Sequence, residues 1–188
     1  MKMINPIDRT TWKEDKILLD KALSGEVLAV KQVIKMLSQD GFGIAWRMTS
    51  SITDAEELLQ EAFIKLWEHG HQFSGESKLR TYFYTIVSRL CLDLKRKQKG
   101  ISIEDAVFDE NLFESLPIDE NLLENQQQIK ASLEKLPVKQ RFALILWAYH
   151  DNTSEEIAKI LEMNKNSVDQ LLYRAKQNLK IIFSGEHV

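Results

Sequence analysis

The chain has 188 residues, of which 44% are hydrophobic and 28% charged, and its formal net charge is −3. These values are typical of a globular protein and do not by themselves indicate a nucleic-acid partner. No apolar run approaches the roughly 20 residues that a membrane span needs, and we expect no signal peptide because the N-terminal residues lack an apolar core. A single cysteine, Cys91, excludes an internal disulfide, so we expect a cytoplasmic protein.

Charge is segregated along the chain. Residues 1–100 carry 16 basic and 13 acidic side chains, and residues 130–188 carry nine basic and seven acidic ones. Between them, residues 101–129 carry eight acidic side chains and no basic one, together with Pro117 and little periodicity. This combination is typical of a linker between two folded units.

The low content of glycine and proline, seven and three residues, and the scarcity of β-branched runs favour helices over strands. We therefore predict an all-α protein of two small helical domains joined by an acidic linker. The predicted bounds are 12–100 for the first domain, 101–121 for the linker and 122–184 for the second domain.

The first three predicted helices cover residues 12–24, 27–39 and 44–50. Gly25 can terminate the first of them, because glycine adopts the left-handed conformation at helix ends. Gly41 and Gly43 interrupt the apolar pattern after the second, which predicts a break before the short third helix.

A fourth helix is predicted over DAEELLQEAFIKLWEHG, with Thr53 and Glu56 as a capping box at its start. The predicted buried face consists of Ala55, Leu58, Leu59, Ala62, Phe63 and Leu66. The opposite face consists of Glu57, Gln60, Glu61, Ile64 and Glu68. An acidic face with an exposed isoleucine suits docking on a basic protein surface, and a merely solvated helix face is the alternative.

The segment Lys78–Lys99, KLRTYFYTIVSRLCLDLKRKQK, is predicted as one long helix with two faces. Its apolar stripe for core packing consists of Leu79, Phe83, Ile86, Leu90 and Leu94. A neighbouring stripe consists of Tyr82, Thr85, Arg89 and Arg96. Aromatic rings between guanidinium groups suit stacking of unpaired bases and binding of phosphates. The alternative is an ordinary amphipathic helix whose basic end complements its dipole.

In the second domain, a helix is predicted to end near Leu136, and Pro137 to start the next one, VKQRFALILWAYH. Its predicted packing face consists of Phe142, Ile145, Leu146 and Tyr149. Asn152 and Thr153 are expected to cap the short helix that follows, with Thr153 and Glu156 as a capping box.

A short helix, a tight turn at residues 162–164 and a longer helix with a basic end have the layout of a helix-turn-helix. The expected internal packing consists of Ile157, Ala158, Leu161, Val168 and Leu172. If the second helix enters the major groove, Gln170 could contact adenine and Asp169 could accept a hydrogen bond from cytosine. A helical hairpin that binds protein is the alternative.

Nothing in the sequence favours an enzyme. His69 and His71 lie two residues apart in a loop without a third obvious ligand, and a metal site needs three or four. A phosphate-binding glycine loop, a serine nucleophile elbow and a carboxylate pair in an apolar setting are all missing. We expect no catalytic residue, metal, cofactor or small-molecule substrate.

Four segments together resemble the bacterial RNA polymerase sigma factors of the extracytoplasmic-function (ECF) group. DAEELLQEAFIKLW (54–67) and FSGESKLRTYFYTIVSRLCLDLKRK (73–97) are similar to region 2 of that family. LEKLPVKQRFALILWAYHDNTSEEIAKIL (133–161) and SVDQLLYRAKQNLK (167–180) are similar to its region 4. Two separate motifs in the right order make the resemblance specific, and the acidic linker also matches the family.

The resemblance implies three functional surfaces. The acidic docking face, which would bind the polymerase β′ subunit, consists of Asp54, Glu57, Gln60 and Glu61. The strand-capture face, which would hold the unpaired strand of the promoter −10 element, consists of Arg80, Tyr82, Thr85, Arg89, Lys95 and Arg96. The −35 element would be contacted by Lys165, Asn166, Ser167, Asp169, Gln170, Tyr173, Arg174 and Lys176.

The implied function is a sigma factor that binds core RNA polymerase (β′ and β subunits) and promoter DNA, opens the duplex and directs transcription initiation. An anti-sigma factor, often membrane-bound, is the further partner that the resemblance implies. The alternatives are a stand-alone helix-turn-helix regulator and a protein-interaction module. The first domain discriminates among them, because a stand-alone regulator has no use for both a docking helix and a strand-capture face.

The sequence departs from the family pattern at several positions. Arg89 stands where the family commonly has the asparagine associated with a flipped base, and Tyr82 replaces a common tryptophan. Val168-Asp169-Gln170-Leu171 replaces a usual VKSR or VRSR and removes two basic residues. Because two basic residues are lost, we expect weaker or differently specific −35 contacts. The usual glycine of the helix-turn-helix turn is also missing.

Overall fold

A computed structural model describes residues 9–99 and 131–184, and every regular element in these ranges is helical, which confirms the all-α prediction. In chain order the elements are α1 (Arg9–Leu23), α2 (Val27–Thr49), α3 (Ile52–His69), a 3-10 turn (Gly70–Gln72), α4 (Leu79–Lys99), α5 (Val138–Tyr149), α6 (Ser154–Ile160) and α7 (Lys165–Ser184). The predicted linker, 101–121, and the predicted start of the second domain, 122–130, lie outside the described residues.

The chain divides into two compact units between Leu90 and Cys91, inside α4. In the first unit, α1 ends as predicted at Gly25, whose φ of +90° lies in the left-handed region. The N–H of Gly25 donates to the carbonyl of Ala22, and the N–H of Glu26 donates to that of Lys21, both at 3.0 Å. These two hydrogen bonds satisfy carbonyls at the helix end and turn the chain into α2.

α2 is one continuous helix, so the predicted break at Gly41 and Gly43 is wrong. The reason is packing. A Cβ atom added at Gly41 would stand 2.8 Å from Cε1 of Phe83 and 2.9 Å from Cδ1 of Leu59. Gly41 therefore serves a close approach of neighbouring helices and does not end the helix, which offsets its poor helix propensity.

The predicted capping box of Thr53 and Glu56 is also wrong, because α3 begins earlier, at Ile52. Ser51 is its N-cap, and the N–H of Asp54 donates to Ser51 Oγ at 3.2 Å. Ser50, in a left-handed conformation with φ of 62°, ends α2 one residue before this cap. The link between the two helices is therefore shorter than the sequence predicted.

The core of the first unit contains the predicted faces of α3 and α4. Its members are fully or almost fully buried: Ala55, Leu58, Ala62, Leu66, Leu79, Phe83, Ile86 and Leu90. Leu59, Phe63 and Leu94, also predicted for these faces, are only partly buried. The rings of Phe63 and Phe83 lie 4.9 Å apart, so an aromatic pair joins α3 to α4.

The first turn of α4 is held by α1. The N–H of Leu79, the first residue of α4, donates to Oδ2 of Asp15 at 2.8 Å. A carboxylate at this position satisfies a backbone donor that has no partner within the helix and complements the helix dipole. The start of α4 is thereby set by a residue that is 64 positions away in sequence.

In the second unit, a helical turn at 131–134 precedes α5, and Pro137 is the N-cap of α5. The predicted core positions Phe142, Ile145 and Leu146 are buried. Tyr149, predicted on the same face, is instead 46% exposed, because α5 ends there. The capping box of Thr153 and Glu156 at the start of α6 is confirmed, with both of its hydrogen bonds present.

Polar contacts that the sequence analysis did not predict join the helices of the second unit. The buried Arg141 donates from Nη2 to the carbonyl of Glu134 at 2.6 Å, and burial lowers the pKa of its guanidinium. Asn178 Nδ2 donates to Gln140 Oε1 at 2.9 Å, which links α7 to α5. Asn152 does not cap α6; its side chain donates to the carbonyl of Leu146 and closes the end of α5.

We predict that Gly41→Ala lowers the free energy of unfolding by about 1–3 kcal/mol, the range typical of an overpacked core. The added methyl group would force the buried Phe83 ring away from α2. Urea unfolding followed by circular dichroism measures the change. Gln39→Ala, two residues earlier on an exposed position, is the matched control and should be neutral, since alanine is an excellent helix former. Equal stability of the two variants would contradict the close-approach role of Gly41.

Candidate functional site

The structure places the residues of the strand-capture face along α4 from Arg80 to Arg96, over more than four helical turns. Arg80, Arg89 and Arg96 are exposed, whereas Tyr82, Thr85 and Lys95 are partly buried. Thr85 Oγ1 donates to the carbonyl of Thr81 at 3.0 Å, one turn earlier in the same helix. The face therefore combines three exposed guanidinium groups with a half-buried tyrosine.

Tyr82 is held by the loop that precedes α4. Its ring lies 5.2 Å from the ring of the buried Phe73, and its hydroxyl donates to the carbonyl of His69 at 3.2 Å. Burial raises the pKa of Tyr82, and the nearby positive charge of Arg89 opposes that rise. The tyrosine is thus held in one orientation, with Arg89 close enough to affect the ionisation of its hydroxyl.

Arg80 is fixed by α2. Its Nη1 lies 2.5 Å from Oδ2 of Asp40, and the same oxygen accepts a hydrogen bond from the Tyr84 hydroxyl at 2.9 Å. Burial, together with the neighbouring Asp40, raises the pKa of Tyr84. Neither the role of Asp40 nor that of Tyr84 can be predicted from the sequence, because no local spacing links residues that are 40 or more positions apart.

The acidic docking face lies on the outer side of α3. Glu57, Gln60 and Glu61 are exposed, and Ile64 between them is 55% exposed. Asp54 is only partly exposed, at the helix start. Glu61 forms a loose ion pair with Lys65, at 3.6 Å. The face therefore combines acidic and amide groups with one large apolar side chain, a composition that suits a basic protein partner.

The helix-turn-helix is formed by α6, a turn and α7. Ile157, Ala158, Val168 and Leu172 are buried as predicted, and Leu161 is partly buried. The turn contains Glu162 with a φ of 55°, in the left-handed region that glycine adopts most readily. A non-glycine residue there costs about 1–2 kcal/mol, so the buried contacts of the two helices maintain this turn against local strain.

Asn164 caps the start of α7: its Oδ1 accepts from the N–H of Ser167 at 2.8 Å. Ser167 is partly buried, whereas the other predicted −35 contacts are exposed: Lys165, Asn166, Asp169, Gln170, Tyr173, Arg174 and Lys176. Asn166, Asp169, Gln170 and Tyr173 follow helical spacing and share the outward stripe of α7. We call α7 the reading helix.

Two of the four basic groups on the reading helix contact other parts of the second unit. Lys165 Nζ lies 2.5 Å from Oε1 of Glu155 on α6, and this ion pair lowers the pKa of Glu155 and raises that of Lys165. Lys176 Nζ lies 3.7 Å from the centroid of the Trp147 ring on α5, a cation–π contact. Arg174 has no such contact among the described residues.

Within residues 9–99 and 131–184, no three His, Cys, Asp or Glu side chains lie close enough together to hold a metal ion. His69 lies 3.9 Å from one carboxylate, that of the neighbouring Glu68. None of the described helices combines the length and the apolar character that crossing a membrane requires.

Comparison with known proteins gives the family. The family model for sigma-70 region 2 matches residues 33–101, and that for sigma-70 region 4 matches residues 126–179, together more than half of the chain. The sigma factor SigV of Bacillus subtilis is 28% identical over 148 residues, covering 79% of this chain and 87% of that protein. The ECF sigma factor SigM of the same organism is 23% identical over 158 residues, covering 84% of this chain and 96% of that protein.

A solved structure shares the fold. The sigma factor RpoE of Bartonella quintana, crystallised with the anti-sigma factor NepR, superimposes with a TM-score of 0.68. The match covers 86% of this chain and 100% of RpoE, at 23% sequence identity. Region 2, region 4 and the relatives agree: the chain belongs to the sigma-70 family of bacterial RNA polymerase sigma factors, in the ECF group.

Proposed function

We propose that this chain acts as an ECF sigma factor that binds core RNA polymerase, recognises a promoter, opens the duplex and directs transcription initiation. The observation that carries the proposal is the presence of region 2 and region 4, in this order, in one chain. Region 4 alone would fit a stand-alone helix-turn-helix regulator. The match over residues 33–101 disfavours that alternative, because it adds a domain that duplex recognition does not need.

The acidic docking face is our candidate for the contact with the polymerase β′ subunit. Its exposed carboxylates lie on the outer side of α3, whereas the opposite side of the same helix is buried in the core. Charge complementarity with a basic surface would speed association and fix its register, and Ile64 would supply apolar contact area.

The strand-capture face is our candidate for the −10 element. Opening the duplex costs a few kcal/mol per extruded base, and stacking together with phosphate contacts offsets this cost. Arg89 supplies an exposed guanidinium on the same face of α4 as the Tyr82 ring, which is already ordered by Phe73 and His69. An ordered aromatic group loses little conformational entropy when a base stacks on it.

The family consists of DNA-binding regulators, and we infer that this chain likewise makes and breaks no covalent bond and works in the cytoplasm. An anti-sigma factor is a further proposed partner, since RpoE of Bartonella quintana was crystallised with one. The two units are each small, so polymerase binding would supply the affinity that neither domain reaches by itself.

The proposal is tested by run-off transcription of genomic promoter fragments with core RNA polymerase, with and without the chain. We expect specific transcripts that depend on the added protein. A transcript pattern that does not change on addition would refute a sigma-factor function.

For the strand-capture face, we predict that the Arg89→Ala variant still binds core polymerase but opens the promoter about tenfold less. Loss of one phosphate or base contact of roughly 1.4 kcal/mol corresponds to this factor. Permanganate reactivity of thymines in the −10 region measures the opening. Lys31→Ala, an exposed lysine on α2, is the matched control and should open the promoter normally. Normal opening by the Arg89 variant would mean that α4 does not hold the unpaired strand through this residue.

For the acidic docking face, we predict that Glu57→Lys with Glu61→Lys weakens association with core polymerase by at least tenfold. The change places two positive charges where a basic partner is expected to dock. Fluorescence anisotropy of the labelled chain titrated with core polymerase gives the affinity. Glu14→Lys with Glu26→Lys, on exposed positions of the first unit, changes the net charge equally and should bind normally. If both double variants bind with equal affinity, α3 is not the docking surface.

A further inference from the structure

The reading helix carries an exposed acidic group, Asp169, near a lysine that forms an ion pair with another helix. Lys165 lies four residues before Asp169, the spacing at which a lysine and an aspartate pair on a helix. Lys165 instead lies 2.5 Å from Glu155 on the preceding helix. Asp169 is exposed, and within the described residues its carboxylate forms no hydrogen bond or ion pair, although the charge of Lys165 still interacts with it. Its carboxylate oxygens are therefore available to accept hydrogen bonds from a ligand.

The other groups on the same stripe are uncharged. Asn166, Gln170 and Tyr173 are exposed and form no hydrogen bond or ion pair within the described part of the chain. Lys176, on the flank of this stripe, contacts the Trp147 ring. The stripe thus offers two amides, one hydroxyl and one carboxylate, which suits the recognition of base edges better than the binding of phosphates.

A carboxylate discriminates sharply among the four bases in the major groove, because it can only accept hydrogen bonds. Cytosine presents an amino donor there and no acceptor, which suits a carboxylate. Adenine presents an amino group beside the acceptor N7, a poorer match. Guanine (N7 and O6) and thymine (O4) present acceptors, which would leave the carboxylate desolvated and repelled.

We infer that Asp169 is a specificity-determining residue: it selects cytosine at one position of the −35 element and excludes guanine and thymine there. The inference rests on the proposed function, since it requires that the reading helix enters the major groove of the −35 element. It also assigns a role to the position at which the sequence departs from the basic pattern of the family.

The test is a selection on promoter DNA with the assembled holoenzyme. A promoter that depends on this chain in run-off transcription is randomised over its −35 region, and the transcribed templates are sequenced. For the wild-type chain we expect one position at which cytosine on one strand exceeds guanine and thymine by about tenfold or more, the size of one good base contact. Asp169→Asn, which can donate as well as accept, should remove this preference at that position alone.

Glu162→Gln is the matched control. It removes one negative charge from the same helix-turn-helix but lies in the turn, not on the outward stripe of the reading helix. It should leave the base profile unchanged, which separates base selection from a general gain in DNA affinity. Transcription by the wild-type chain with identical base profiles for the wild type and the Asp169 variant would overturn the inference and leave the sigma-factor proposal standing. Absence of any dependent transcript would overturn both.

Discussion

The position of α4 depends on the contact between the Phe83 ring and the backbone of Gly41. Phe83 is fully buried, and a Cβ atom at position 41 would overlap its ring. Because Gly41 has no side chain, the Phe83 ring can pack against α2 at this point. α4 can therefore lie close to α2 and α3, with its apolar stripe facing the core. The polar stripe of α4 consequently faces outward, where a nucleic-acid strand could reach it. A packing constraint in the core thus determines the orientation of the candidate DNA-binding surface.

Polar contacts, in addition to core packing, fix the orientation of α4. The Asp15 carboxylate accepts a hydrogen bond from the first turn of α4, and the Asp40 carboxylate accepts hydrogen bonds from both Arg80 and Tyr84. Each of these contacts joins α4 to another helix at a defined point along its length. Rotation of α4 about its axis would break these hydrogen bonds and leave polar groups without partners. The contacts therefore stabilise one orientation of α4 over slightly rotated ones. Preorganisation of this kind reduces the entropy that binding of a flexible single strand has to overcome.

In the second unit, fewer basic residues of the reading helix are available to bind DNA phosphates than their number suggests. Lys165 pairs with Glu155, and Lys176 lies over Trp147. Non-specific DNA affinity comes mainly from neutralised phosphates, so such a helix gains little from charge alone. Sequence preference then depends on the uncharged and acidic groups of the outward stripe. Weak modules of this kind become effective when they are tethered and held on a common partner, as in a polymerase holoenzyme.

The sequence by itself determined the helical class, the extent of α4, the helix-turn-helix with its capping box, and most of the residues through which α3, α4 and α7 pack in the cores. These features follow from local periodicity and from capping chemistry, which act over a few residues. Only the tertiary structure decided that Gly41 lies inside a helix and that Ser51, not Thr53, caps α3. It alone showed that Arg80, Tyr82, Lys165 and Lys176 have partners within the protein. Contacts between residues distant in the chain carry no local signature, because they depend on where packing brings the helices together.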